Sequence, residues 1–501
     1  MECERRKTPA VEAIRGMLTL EISMGQSVYD SWVTALITTS IVLGSDLLAA
    51  GHAILYKRDV RSTLGWLGLI LLAPLLGAVF YFFFGINRIH RQAVSLRHRE
   101  RIPLDPPSSP TDTHGEIDFS PLHGLSSLVS KVVFRPLTQG NHVAMLCQAE
   151  DIFSSQLQAM AGATREILLA TYIFDRGQVG MRFVAALKDA VERGLDVCLL
   201  VDDVGLRYSR PSMLGEFRKA GIPHARFHPR LLPWHWPYFN LRNHRKILVV
   251  DGRIGFTGGT NLRDDYLLPA SHPKAAADLH FRLEGPCVRH LRETFLEDWQ
   301  HAGGNPPTKN LPSSEGFSGP ARARGISIGP DQDLERLRWV YLGALQCAER
   351  KVRIVTPYFL PDQALIAAMN VAALRGVVVE IYIPSKGNLL LPQWACQHQL
   401  WQVLERGCRV FFTPPPFLHA KLMTVDEEWV LFGSANWDPR SIRLNFEFNV
   451  ECHDESLAGI ANAWVDQLRA GSRQASLAEQ DRRSPFRRLR DGLARLAMPF
   501  L

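Results

Sequence analysis

No two of the eight cysteines are spaced as C-x-x-C, and Cys3, Cys147, Cys198, Cys287, Cys347, Cys396, Cys408 and Cys452 form no cluster with histidine at metal-ligand spacing. A disulfide scaffold is excluded and no metal is expected; mostly buried thiols in a reducing compartment are the reading. Charge is modest too, at 21% of residues against 46% hydrophobic, which excludes a disordered chain. No secretory leader is expected at the N-terminus. Arg5, Arg6 and Lys7 are followed not by an unbroken apolar run but by Glu12, Arg15 and Glu21. Met24 is an alternative translation start. What is present is 501 residues with a formal net charge of +7, enough for two or more globular units and fitting an anionic partner, phospholipid or nucleic acid.

Two apolar runs follow the N-terminal extension, residues 1–30. Residues 62–86 carry no charge and are long enough to cross a bilayer at about 1.5 Å per residue. Residues 31–56 are of spanning length but contain Asp46 and His52. A carboxylate near the bilayer centre costs roughly 2.5–3.5 kcal/mol on insertion scales unless it is neutral and bonded to a neighbouring helix. The intervening Lys57-Arg58-Asp59-Val60-Arg61 has room only for a turn, so the two runs predict a transmembrane hairpin. Arg88, Arg91, Arg97, Arg99 and Arg101 outnumber the three cations of the turn and predict a body on the cytoplasmic side of the membrane. Residues 87–130 then read as a basic juxtamembrane segment and linker, and residues 303–324, rich in Gly, Pro and Ser, as a second linker.

The body between and after these linkers repeats itself, predicting two pseudo-symmetric α/β domains over 131–302 and 325–470, each a mixed β-sheet flanked by helices. Ala163–Asp203 and Ala348–Ser385 each read as a strand, an Ala-rich helix ending at Gly194 or Gly376, and a second strand. The repeat carries chemistry as well. His244, Lys246 and Asp251 are followed by Gly258-Gly259-Thr260-Asn261; His419, Lys421 and Asp426 by Gly433-Ser434-Ala435-Asn436. His to Lys is 2, His to Asp 7 and His to Asn 17 residues in both copies, a coincidence far beyond chance.

If the motif lies on a strand, i and i+2 share a face, so each His points with its Lys into one site while Ile247, Val249 and Leu422 anchor the strand. Lysine offers a compact cation and three donors to phosphate oxygens; a glycine loop lets backbone come close, and asparagine adds a neutral donor. Two imidazoles suit displacement at a phosphodiester. One attacks phosphorus; the other protonates the leaving alkoxide and then deprotonates the incoming alcohol.

These paired motifs resemble the phospholipase D superfamily. With the hairpin and the runs Phe256–Asn261, Gly433–Ser441 and Leu444–Glu447, the chain from about residue 30 onward is similar to bacterial cardiolipin synthases. The resemblance implies condensation of two phosphatidylglycerol molecules into cardiolipin and glycerol through a phosphohistidine, without a cofactor. It implies a catalytic set of His244, Lys246, Asp251, His419, Lys421 and Asp426, the aspartates more as supports of the motif loop than as substrate contacts. First-half His244 is the preferred nucleophile. Gly259, Asn261, Ser434 and Asn436 join the substrate-binding set, with Asp278 and Glu447, each placed to hydrogen-bond the histidine of its own half and fix its tautomer.

The surroundings suit a lipid. Phe227–Asn240 is dense in aromatic residues and proline, and residues 471–501 form a basic amphipathic tail. The segments Leu389–Trp394 and Pro414–Pro416 depart from the family pattern and are expected to border the lipid cleft. The same site also fits a phospholipase D that hydrolyses phosphatidyl lipids, or a membrane-tethered nucleic-acid phosphodiesterase, against which the hairpin argues. A scaffold with a dead site is opposed by the completeness of both motifs.

Overall fold

A computed structural model describes residues 9–57, 59–85, 121–228, 241–308, 318–330 and 333–496. The chain divides into two units, Met1–Arg88 and Ile89–Leu501. The basic residues Arg88 to Arg101 and most of the aromatic segment, from residue 229 on, lie outside the described residues.

In the first unit a single helix, Pro9–Tyr56, runs through the expected N-terminal extension and first span without a break. Its part Tyr29–Tyr56, with a mean hydropathy of 1.7, is the one described helix long and apolar enough to cross a membrane. The second run is not the continuous span expected. It forms Val60–Leu72, capped by Asp59, then a turn, then Leu76–Phe80 and a wide helical turn Tyr81–Gly85. Pro74 supplies the reason: it has no amide to donate, and its ring clashes with the carbonyl four residues back. Leu75 turns to a φ of 65°, and its amide donates to Asp46 Oδ1 at 3.0 Å. The carboxylate that made the first run too polar therefore takes the place of the helix carbonyl this amide has lost. His52 Nδ1 pairs with the Tyr81 hydroxyl at 2.8 Å.

The second unit holds two sheets with one strand order. In the first, His142–Leu146, His280–Glu284, Ile254–Gly258, Ile247–Val250, Glu166–Thr171, Asp196–Asp202 and His224–Phe227 lie side by side. In the second the order is Gly319–Ile328, Asn445–His453, Trp429–Gly433, Leu422–Val425, Lys351–Val355, Val378–Pro384 and Arg409–Thr413, with Thr138–Gly140 and Arg473–Gln474 added at the edges. Strand directions match as well: three parallel strands joined by crossover helices, then an antiparallel meander carrying the motif. The crossover helices Gln178–Glu192 and Gln363–Leu374 stop where the sequence predicts, with Gly194 and Gly376 at φ of +76° and +95°.

Alternation along the motif strands builds the layers. Ile247, Val249, Leu422 and Phe432 enter a core shared by both halves, where Phe281 stacks on Phe432 at 3.7 Å. Leu248 and Val250 face an outer core of the first half, Met423 and Val425 one of the second. Several boundaries differ from expectation. Pro121–Val133, read as linker, is a helix that packs Leu125 and Val129 into the second half's outer core. Thr138–Gly140, assigned to the first domain, pairs with the second sheet, and that sheet's strand Gly319–Ile328 begins inside the expected linker 303–324. The first-domain boundary fails because apolar side chains of residues 121–133 find their partners some 200 residues downstream, which local composition does not reveal. The tail begins as an edge strand and continues as a helix, Pro485–Leu496, that buries Asp491 and Ala494 and lays Arg490 over Trp394 at 4.4 Å. Phe486, Leu489, Leu493 and Leu496 stay exposed. At about 100° per residue they form one row on the side away from the buried pair.

Candidate active site at the meeting of the two halves

The motif histidines do not sit on their strands. Residues 244–246 and 419–421 are irregular crossings, each between a two-residue strand that pairs with the opposite half and the motif strand of its own half. Arg242–Asn243 runs parallel to Asn445–Phe446, and Phe417–Leu418 runs parallel to Ala276–Ala277. One step beyond each pairing stand His244 beside Glu447 and His419 beside Asp278. The His244 amide donates to the Phe446 carbonyl at 2.9 Å and the His419 amide to that of Ala277 at 2.7 Å.

Each carboxylate consequently serves the histidine of the other half, not its own. His244 Nδ1 lies 2.9 Å from Glu447 Oε1, and His419 Nδ1 lies 2.7 Å from Asp278 Oδ2. This corrects the own-half pairing: similar positions after each motif are related by the pseudo-twofold, and it is the exchanged strands that bring them across. Since a carboxylate accepts, each imidazole donates through Nδ1 and leaves Nε2 for the cleft.

The lysines complete the cluster. Lys246 Nζ donates to the His244 carbonyl at 2.6 Å, and Lys421 Nζ likewise donates to the His419 carbonyl. Burial, above all, lowers the Lys246 pKa to about 7 and that of Lys421 to about 8, although Glu447 and Asp278 oppose the change. Burial and the lysines also hold His244 well below its usual value and bring His419 to about 4. Lys421 acts on His244 and Lys246 on His419, so the two motifs share one electrostatic site. Glu447 is raised to about 7, chiefly by burial. A bound phosphodiester brings negative charge against these buried groups and favours the protonated lysines.

The remaining motif residues fall into two groups. Asn261 and Asn436 are buried in the site; the Asn261 Oδ1 accepts from the Ile173 amide at 3.2 Å, and the Asn436 Oδ1 has no hydrogen-bond partner among the described residues. Gly259 and Ser434, expected to bind substrate, instead address the carboxylates. A Cβ on Gly259 would stand 2.2 Å from Asp278 Oδ1, and the Ser434 hydroxyl donates to Glu447 Oε2 at 2.5 Å. Asp251 and Asp426, grouped with the catalytic residues, lie at the far end of the motif strand, about 23 Å along an extended chain from their histidines. Each adopts a φ of 52° and ties a turn to the neighbouring strand: Asp251 accepts from the Thr164, Arg165 and Glu166 amides, Asp426 from those of Glu349, Arg350 and Lys351. Their structure is that of supports.

Sequence reasoning passed over Arg245, the variable residue of its motif. It is fully buried, pairs with Asp298 at 2.5 Å and reaches Ser327 Oγ and the Ile328 and Glu447 carbonyls of the second half. Its signal was an arginine flanked by site residues, where the second motif has Ala420. Asn445, which donates to Glu447 Oε1 at 3.0 Å, was also missed, although its place two residues before the acid puts both on one strand face. Among its walls a cavity of about 740 Å³ has His419, Arg263, Lys274, Lys386 and Pro414–Pro416. Of the two segments expected to border the lipid cleft, Pro414–Pro416 lines this cavity and Leu389–Trp394 does not.

A family model described as cardiolipin synthase, PLD-like domain, matches residues 157–299 and 341–469, and one described as phospholipase D-nuclease N-terminal matches residues 45–85. The chain is 30% identical over 464 residues to a cardiolipin synthase of Geobacillus kaustophilus (strain HTA426), covering 89% of this chain and 90% of that one. It is 30% identical over 462 residues to the major cardiolipin synthase of Bacillus subtilis (strain 168), covering 89% and 95%. In fold it is similar to a phosphatidylserine synthase of Haemophilus influenzae Rd KW20, with a TM-score of 0.56 at 14% identity over 75% of this chain and 100% of that one. Shared fold, two complete motifs meeting in one cleft, and relatives aligned along nearly their whole length lead to one conclusion: the chain belongs to the cardiolipin synthase family of phospholipase D-like proteins.

Proposed function

We propose that this protein transfers a phosphatidyl group from one phosphatidylglycerol to the terminal hydroxyl of another, giving cardiolipin and glycerol. The observation that carries the reading is the crossed pair of His–carboxylate contacts around two buried lysines. His244 Nε2 attacks phosphorus while His419, entering the step as the imidazolium that Asp278 and the bound phosphodiester favour, gives its Nε2 proton to the departing glycerol oxygen. The P–O bond breaks as the P–N bond forms. The acceptor hydroxyl then passes its proton to His419 and attacks the phosphohistidine, and the P–N bond breaks. Lys246, Lys421, Asn261 and Asn436 hold the non-bridging oxygens as charge develops there. Glu447 and Asp278 orient the imidazoles and stabilise the positive charge each acquires in turn.

The N-terminal runs are read as a two-segment membrane hairpin with the body on the cytoplasmic side. Support comes from the apolar Tyr29–Tyr56 helix, the pairing of Asp46 and His52 with the second run, and the excess of arginine after residue 87. The outward row Phe486, Leu489, Leu493 and Leu496, with Arg488 and Arg490 on its two flanks, supports a tail that lies on anionic lipid. The test is incubation of the full-length protein with vesicles of labelled phosphatidylglycerol, resolving cardiolipin, phosphatidic acid and glycerol. Cardiolipin with equimolar glycerol, lost in His244→Ala and His419→Ala, is the expected result. Phosphatidic acid alone would make the protein a hydrolase, and no lipid turnover by folded protein would overturn the reading.

A further inference from the structure

The two histidines are almost equally exposed but have different surroundings. His419 forms part of the wall of the 740 Å³ cavity, and His244 is not among its lining residues; the His244 ring instead meets Tyr172 edge-on at 5.1 Å. In a two-step transfer, both the departing and the incoming alcohol meet the acid–base histidine, so the cavity beside His419 is where alcohols exchange. Its size is within the roughly 300–1,000 Å³ of pockets that hold a multi-group ligand, room for a glycerophosphoglycerol headgroup instead of glycerol alone.

The charge on its walls is specific. Lys274 comes from the first half and Lys386 from the second, both exposed, and neither forms an ion pair with a carboxylate among the described residues. The third cation, Arg263, is already held by Asp175 at 2.6 Å and Asp265 at 2.9 Å. An acceptor phosphatidylglycerol carries one phosphodiester three carbons from its reactive hydroxyl. Water and free glycerol carry none.

We propose that the cavity between Lys274 and Lys386 is the acceptor site, where the two ammonium groups take the phosphodiester of the second lipid and so deliver its hydroxyl to His419. This rests on the transferase reading and deepens it: the lysines select a lipid alcohol over water. Holding the acceptor by its phosphate raises the effective concentration of its hydroxyl at the phosphohistidine, whereas water, lacking that handle, competes only by abundance. The hydroxyl oxygen forms the new P–O bond, the P–N bond to His244 breaks, and the hydroxyl proton goes to His419.

The experiment is the molar ratio of cardiolipin to phosphatidic acid made by the full-length protein in phosphatidylglycerol vesicles. Lys274→Gln with Lys386→Gln lowers that ratio by roughly tenfold or more, the scale of one lost charge-assisted contact. The pair Lys274→Arg with Lys386→Arg restores most of it, and Lys188→Gln, on the outer helix Gln178–Glu192, leaves it at the wild-type value. A double glutamine variant with an unchanged ratio overturns the acceptor site, as does one in which both products fall in the same proportion. Failure of the function itself looks different: wild-type protein would then make no cardiolipin at all.

Discussion

The two halves of the body carry the same seven strands in the same order and the same His-x-Lys motif, yet they do different work around it. In the first half, the residue between His and Lys is Arg245, bolted to Asp298 and across to the second half; in the second it is Ala420. Where the first half has Gly259, leaving space for Asp278, the second has Ser434, donating to Glu447. His419 opens on a cavity, and His244 is backed by Tyr172. A duplicated fold supplies two near-identical frames, and the small differences at equivalent positions divide the labour. The two side chains are almost equally exposed, 13% for His244 and 11% for His419, and what separates them is the cavity beside His419, suited to the exchange of alcohols.

The largest effect that tests this division comes from the histidines. Each Ala substitution lowers cardiolipin formation by about four orders of magnitude, the scale seen when a nucleophile or its partner is removed. The two separate with a phosphatidyl ester of a good leaving group, which needs no acid: labelled phosphatidyl accumulates on His419→Ala and not on His244→Ala. Label on neither, or on His244→Ala instead, would reverse or cancel the assignment. Next comes Arg245→Ala. It leaves Asp298 buried without its cation, and loss of about 3–5 kcal/mol of stability is expected in chemical denaturation of the solubilised protein. A loss below about 1 kcal/mol would mean that the bolt between halves is dispensable, as Ala420 is in the second motif.

Gly259→Ala sharpens the comparison further. Its Cβ would stand 2.2 Å from Asp278 Oδ1 and push that carboxylate off His419, so activity falls roughly 10–100-fold, as for loss of an orienting partner. Ser434→Ala removes one of several contacts to Glu447 and costs less, about fivefold, near 1 kcal/mol for a single hydrogen bond. Equal losses would refute distinct roles for the paired positions. The smallest effect is in pH. With Lys246 lowered to about 7 and Lys421 to about 8, both ammonium groups discharge as pH rises through this range, and kcat/KM falls there. A bound phosphodiester favours the charged forms, so the fall in kcat lies at higher pH. Lys246→Arg, which stays charged, removes the lower of the two steps; a kcat/KM flat between pH 6 and 9 would contradict the burial of these cations.

What was legible in the sequence was local or repeated. The helix stops at Gly194 and Gly376, the apolar anchors Ile247, Val249 and Leu422, and the equal spacings of the motifs depend on periods of two or 3.6 residues, and these are written into the chain. The carboxylates were found as candidates and paired wrongly. Asp278 and Glu447 follow their own motifs in sequence, and nothing local reveals that Ala276–Ala277 and Asn445–Phe446 each pair with a strand of the opposite half. The same kind of distance hid the packing of Pro121–Val133 on the second half, and Pro74, visible all along, broke a run whose uniform apolarity suggested one helix.

The sequence by itself determined the chemistry: two histidines, two lysines and two complete motifs, because residue type and spacing define what can attack, donate and hold a phosphate. Only the tertiary structure decided which carboxylate serves which histidine, which amides Asp251 and Asp426 hold, and that one histidine faces the cavity. These are properties of register and burial between segments more than a hundred residues apart. Such contacts are fixed by how two sheets close on a common core, and no local pattern in the chain encodes that closure.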